Sequence, residues 1–412
     1  MGQRVRTARA RALELPPLRT VRNPAAEIFL WSRAVIWLAA LAALALLDGS
    51  RNPRAGIWDE PALTHDLGGI TDVWARWDSV WFLRIAEHGY GAHANDAAFF
   101  PLYPGLTGGL GRVLGGHYVL AGIVVSLVAG VAAFMLLYRL AEPRLGADGA
   151  RRALLYLAVF PTSLFLGAVY SESLFLLLVV GAFFLAERGR FAEAGVVAGL
   201  ALLTRPSAAA LLPPLVLLAW RAGGLRVAAR LAAAPVLFLA YPLLLWWQIR
   251  DPFAFLSAQH HWDRHLSPVG PLGGVWEGLH AGVAGVRQLW AGGDGHVYWS
   301  RVTEWSPLQV AAINISLVVF LGLFLALTVV AWRRFGAPYG LFCALSLAVP
   351  LSTPNADWPL QSLPRFGLTV FPFFLALAAI GGRPRLNAAI LSISALFLGV
   401  AVTQWALWQW VA

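Results

Sequence analysis

The densest run of chemistry-bearing residues is RWDSVWFLRIAEHGY at positions 76–90, followed closely by AFFPLYPGL at 98–106. Asp78 opens about ten residues of helical promise, closed by Gly89. On a helical wheel Trp81, Phe82, Leu83 and Ile85 share a broad apolar arc, with Arg84, Glu87 and His88 opposite. An aromatic-rich amphipathic helix of this kind is expected to lie flat at a membrane interface. Asp78 would then stand at its N-terminal end, beside the lipid headgroups. Two compatible readings of Asp78 follow. It is a helix N-cap that gains from the dipole, or a general base taking a proton from a hydroxyl on a membrane-bound acceptor.

Other polar groups are sparse. Glu172 lies in the short turn Tyr170-Ser171-Glu172-Ser173 between apolar stretches, either as a tolerated turn carboxylate or facing a central cavity. His260, His261, Asp263 and His265 invite a metal reading, but the helical spacing they offer involves His261 and His265 alone. The chain has no Asp-x-Asp pair, so no metal and no other cofactor are expected. The Gly-rich run 105–116 follows no strand and is not a phosphate-binding loop.

The elements that must position these groups are membrane spans. Of the 412 residues 59% are hydrophobic and 13% charged, against roughly 25% charged in a soluble domain. The single Cys excludes an intramolecular disulfide framework. Eleven apolar runs approach the roughly 20 residues a spanning helix needs: 32–48, 117–139, 153–170, 172–187, 191–204, 206–220, 228–249, 308–332, 338–353, 365–382 and 386–410. Arg205-Pro206 breaks the pair 191–220. No signal-peptide pattern is present, so the first span is expected to be retained.

The net charge of +10 is carried by 31 basic residues, all of them Arg. With the tail 1–31 in the cytoplasm, 20 Arg and six acids fall inside, Arg33 being counted with that tail. The outside holds 11 Arg, 15 acids and all nine His. That asymmetry predicts a cytoplasmic N-terminus and an extracytoplasmic C-terminus. The basic balance therefore describes topology, and no nucleic-acid partner is expected. Two outside loops, 49–116 and 250–307, are too long to be mere connectors and hold most of the polar chemistry. Trp405, Trp408 and Trp410 are read, with other span-end Trp residues, as an aromatic belt.

RWDSVWFLRIAEHGY and AFFPLYPGL resemble the PIG-V-like mannosyltransferases, as do VYSESLFLLL (169–178), LTRPSAAALLPPL (203–215), AQHHWDRHLSP (258–268) and LPRFGLTVFPFFLALA (363–378). Where eukaryotic members more often read Arg-Ser-Asn-Gly, this chain has Arg205-Pro206-Ser207-Ala208. The resemblance implies a single all-α membrane domain of GT-C type over 1–412, with interfacial helices in the first outside loop and a catalytic acid there, Asp78. It also implies a polyprenyl-phosphate sugar donor, a lipid-linked or glycan acceptor, and inversion at the sugar. Some members of the family act only with a membrane partner subunit. Arg205 and Arg365, each beside a Pro at an outer span end, are then candidates for the donor phosphate. Snorkelling to the headgroups is their other reading. Arg76, Trp77, His88, Tyr90, Glu172, Gln259, Trp262 and Arg264 are candidate substrate contacts. Arg-for-Lys usage fits a bacterial cytoplasmic membrane, with the active site on its extracytoplasmic face. A multi-span transporter or lipid flippase would explain the spans equally well, although the charges lie at span ends rather than mid-membrane.

Overall fold

The computed structural model describes residues 24–47, 58–93, 95–293 and 306–411, apart from the side chains of His260 and His261. Most of the Arg-rich tail thus lies outside the described residues, with parts of both long loops. From the N-terminus the helices are α1 (Pro24–Leu46), α2 (Ser79–His88), α3 (Leu102–Val113), α4 (Tyr118–Ala158), α5 (Glu172–Glu187), α6 (Phe191–Leu202) and α7 (Leu212–Gly223). They continue with α8 (Leu225–Ile249), α9 (Pro271–Ala291), α10 (Pro307–Phe335), α11 (Ala337–Ser352), α12 (Leu363–Leu368), α13 (Phe371–Ile380) and α14 (Pro384–Ala406). Shorter turns such as Pro61–Thr64 intervene. Among the described residues there is no β-strand; Arg264 and Asn355 form an isolated bridge.

The chain is a multi-span helical membrane protein. Helices α1, α4, α8, α10 and α14 are long and apolar enough to cross a bilayer, and α6, α11 and α13 are shorter apolar helices. Their ends follow from local chemistry. Pro24 and Glu27 suit the first turn of α1, and Ser306 with Gln309 forms a capping box on α10. Helix α4 packs against α1, α3, α5 and α13 and forms the centre of the bundle.

Several expected spans depart from simple helices: 365–382 is divided between α12 and α13, and 206–220 opens as the 3-10 turn Pro206–Leu211. Gly146 (φ 70°) interrupts α4, and the run 153–170 stops being α-helical at Ala158 and continues as a buried 3-10 turn, Ser163–Leu166. Backbone freed in this way needs partners away from water. Arg33 supplies them. It lies within α1 rather than in the tail and is 4% exposed. Its guanidinium donates to the carbonyls of Ala158 (3.0 Å) and Ser163 and to Ser163 Oγ (3.3 Å).

The long loops are more structured than their polarity suggests. Every residue of α2 from Ser79 to Ala86 is buried, so Arg84 as well as the apolar arc faces protein. Arg84 is covered by Glu60 (2.8 Å), Asp96 (3.5 Å) and the Trp81 ring. Burial in turn raises the Asp96 pKa from its ordinary value, with the His93 amide and Arg84 opposing it. The second loop contains α9, whose Gly274, Gly278, Gly282 and Gly285 let it lie close against Leu351, Leu360, Val318 and Ala311.

The α2–α3 contact is close at the backbone level. A Cβ on Gly108 would collide with the Ala86 carbonyl, whereas one on Gly109 would meet nothing within 4 Å. Gly108→Ala is expected to cost about 1–3 kcal/mol by overpacking. Thermal unfolding in detergent, with Gly109→Ala as the control, checks this.

Candidate active site

Four charged side chains from distant parts of the chain meet in one cavity of about 610 Å³. Asp78 immediately precedes α2, and Glu172 is the first residue of α5, where the helix dipole favours a carboxylate. Arg205 precedes Pro206 and takes the extended backbone (φ −158°) that a following Pro imposes. Arg365 sits on the short helix α12, entered through left-handed Ser362 (φ 64°).

These groups form an alternating chain of charge. Arg365 Nη1 donates to Asp78 Oδ2 at 2.7 Å, and its Nε lies 3.2 Å from Glu172 Oε1. Arg205 Nη1 donates to the same Oε1 at 2.9 Å. Glu172 is 1% exposed, and its Oε2 has no hydrogen-bond partner among the described residues. The Asp78 carboxylate makes no cap hydrogen bond, so the capping role does not account for it. Around Phe366 the guanidinium groups of Arg205, Arg264 and Arg365 lie 5.6–5.8 Å from the ring centroid. Arg264 pairs with no carboxylate among the described residues; it donates to the carbonyls of Thr353 (2.9 Å) and Gln361 (3.3 Å). Burial, reinforced by Arg365, lowers its pKa to about 10, which leaves it charged at neutral pH. Asp263 and Asp357 line the cavity as well, so its three guanidinium groups face four carboxylates; the Phe366 side, where all three gather, is the part suited to an anion.

Of the residues singled out from the sequence, Asp78, Trp77, Glu172, Arg205, Gln259, Trp262, Arg264 and Arg365 all line the cavity. Arg76, His88 and Tyr90 do not. His88 is an exposed residue at the end of α2. Tyr90 is buried against Tyr241 and donates to the Phe99 carbonyl (2.7 Å). Arg76 is committed to the end of α14, as described below. His265 faces Glu277 at 3.2 Å, and the side chains of His260 and His261 lie outside the described residues. Sequence reasoning passed over Tyr170, Phe366 and Trp58. It also gave Trp405 and Trp410 to the aromatic belt, whereas both line the cavity. Three Trp residues within 405–410 are a denser cluster than a belt needs, and that was the available signal.

Residues 66–211 match the family model for mannosyltransferase (PIG-V). That stretch carries Asp78, Glu172 and Arg205, while Arg264 and Arg365 lie beyond it. GPI alpha-1,6-mannosyltransferase 2 of Mus musculus is 36% identical over 150 residues, or 33% of this chain and 28% of that protein. Its Homo sapiens counterpart is 37% identical over 134 residues, or 30% and 26%. The chain thus spans under a third of the length of these relatives. Among solved structures, the Archaeoglobus fulgidus oligosaccharyltransferase in complex with Zn and sulfate aligns with a TM-score of 0.42 at 14% identity, covering 90% of this chain and 53% of that one. ArnT from Cupriavidus metallidurans bound to undecaprenyl phosphate aligns at 0.38 and 16% identity, covering 89% and 77%.

Proposed function

We propose that this protein is a GT-C-type membrane mannosyltransferase that moves the sugar from a polyprenyl-phosphate donor to a hydroxyl of a lipid-linked or glycan acceptor. The observation that carries this reading is the meeting, in one cavity, of the Asp78 carboxylate with guanidinium groups suited to a phosphate. Asp78 takes the proton as the acceptor oxygen attacks the anomeric carbon, and the bond from that carbon to the phosphate oxygen breaks with inversion. The electron pair stays on the departing polyprenyl phosphate, whose growing charge is met by Arg365 and Arg205. In the free protein Arg365 holds Asp78; a phosphate that draws Arg365 away releases the base for the acceptor. Trp77 and Trp262 offer apolar faces for the sugar, and Gln259, Glu172 and Arg264 offer polar contacts. The cavity end of the bundle is the extracytoplasmic one, and the membrane is that of a bacterium.

Membranes containing the protein, incubated with labelled polyprenyl-phosphate mannose, are expected to yield a labelled product whose mass exceeds the acceptor by one hexose. Counterflow of label in proteoliposomes without a covalent product would instead mark a transporter. The carboxylates nearest the reaction centre, Asp78 and Glu172, already face guanidinium groups, so no metal is assigned to them. Added EDTA should therefore leave the transfer rate within about twofold, since phosphate charge is met by Arg; a loss restored by a divalent cation would overturn that assignment.

A further inference from the structure

The turn that presents Asp78 is fastened from two sides. Arg76 Nη1 donates to the carbonyls of Trp405 (2.9 Å) and Ala406 (2.8 Å), the last residues of α14, and its guanidinium lies 4.4 Å over the Trp408 ring. Carbonyls at a helix C-terminus lack intrahelical partners, and a cation there also suits the dipole. Burial lowers the Arg76 pKa to about 10, with Asp59 and Asp72 opposing the shift. In return, Trp405 Nε1 donates to the Val73 carbonyl at 2.5 Å. From the other side, Tyr170 Oη donates to the Arg76 carbonyl (3.2 Å) and accepts from the Asp78 amide (3.1 Å). Trp77, caught between these ties, has φ 56°. A bulky residue holds that left-handed backbone only where its surroundings impose it.

We infer that Arg76, Tyr170 and the 405–408 segment are positioning elements for Asp78: the end of α14, far away in sequence, sets where the base points. This rests on Asp78 being the base. Arg76 itself does not line the cavity, so it acts through the turn and not on substrate. A displaced base costs rate rather than donor affinity, because a shift of about 1 Å in a reacting group is enough for a hundredfold loss.

The test compares Arg76→Gln and Tyr170→Phe, alone and combined with Asp78→Glu, which already displaces the carboxylate. Each single variant is expected to lower kcat about tenfold to a hundredfold with donor KM nearly unchanged. In the Asp78→Glu background the same substitutions should change kcat less than about twofold, because groups that act through one another are not additive. Fully additive losses, or losses confined to KM, would overturn the inference. Should Arg76→Gln fail to fold, Tyr170→Phe and Trp408→Leu carry the same cycle. Hydrogen exchange in the substrate-free protein gives a readout apart from activity: Tyr170→Phe should speed exchange of the Asp78 amide, and unchanged exchange contradicts the clamp. A wild-type protein that transfers no sugar would remove the proposed function while leaving that exchange result to decide whether the turn is clamped.

Discussion

Asp78→Asn is expected to insert and fold like the wild-type protein and to lose about 10²–10⁴-fold in kcat, the usual contribution of a positioned acid–base group. Stability should change little, because the carboxylate caps nothing and its neighbour Arg365 keeps Glu172 as a partner. Asn retains the size of the side chain and its hydrogen-bonding reach but accepts no proton. The substitution also removes the charge from the 2.7 Å partner of Arg365 and so weakens that tie, and donor KM should hold steady or fall. Steady-state kinetics therefore separates two roles. A base loses kcat alone, whereas a residue that merely steers Arg365 onto the phosphate would raise donor KM.

Glu172→Gln has the second large effect, and it falls first on stability. One carboxylate oxygen, 1% exposed as a side chain, serves both Arg205 (2.9 Å) and Arg365 (3.2 Å). Removing one member of a buried ion pair leaves uncompensated charge and costs about 3–5 kcal/mol. Here Arg205 would be left without a carboxylate partner among the described residues, while Arg365 keeps Asp78 at 2.7 Å. The variant should unfold at a markedly lower temperature in detergent, and Glu172→Asp should lie between it and wild type. An anion that occupies the cavity replaces part of the missing charge, so polyprenyl phosphate should raise the midpoint of the Gln variant more than that of wild type. Equal shifts would mean that the phosphate sits away from Glu172.

Much of the fold was legible because hydropathy is a local property. The run 172–187 coincides with α5, and 308–332 and 338–353 differ little from α10 and α11. What escaped depended on contacts between distant residues. The burial of α2 was not legible because Arg84 finds its partners at Glu60 and Asp96, which no helical wheel can show. Helix α9 was missed because the glycines that let it approach α10 and α11 also dilute its hydropathy. At the site, residue types and position drew attention to Asp78 and Glu172, and the family resemblance added Arg205 and Arg365 as phosphate candidates. Their convergence was not legible, nor was the tie between Arg76 and α14, since both depend on how the helices pack. The belt reading of Trp405 and Trp410 failed for the same reason: a Trp at a span end looks alike whether it faces lipid or a cavity.

The most direct measurement is a mass spectrum of the lipid and glycan extract from membranes given labelled polyprenyl-phosphate mannose, taken side by side for wild type and Asp78→Asn at equal protein levels. The account predicts an acceptor one hexose heavier with wild type and almost none with the variant. Equal product from both would contradict Asp78 as the base, and the absence of any covalent product from wild type would contradict the transferase itself.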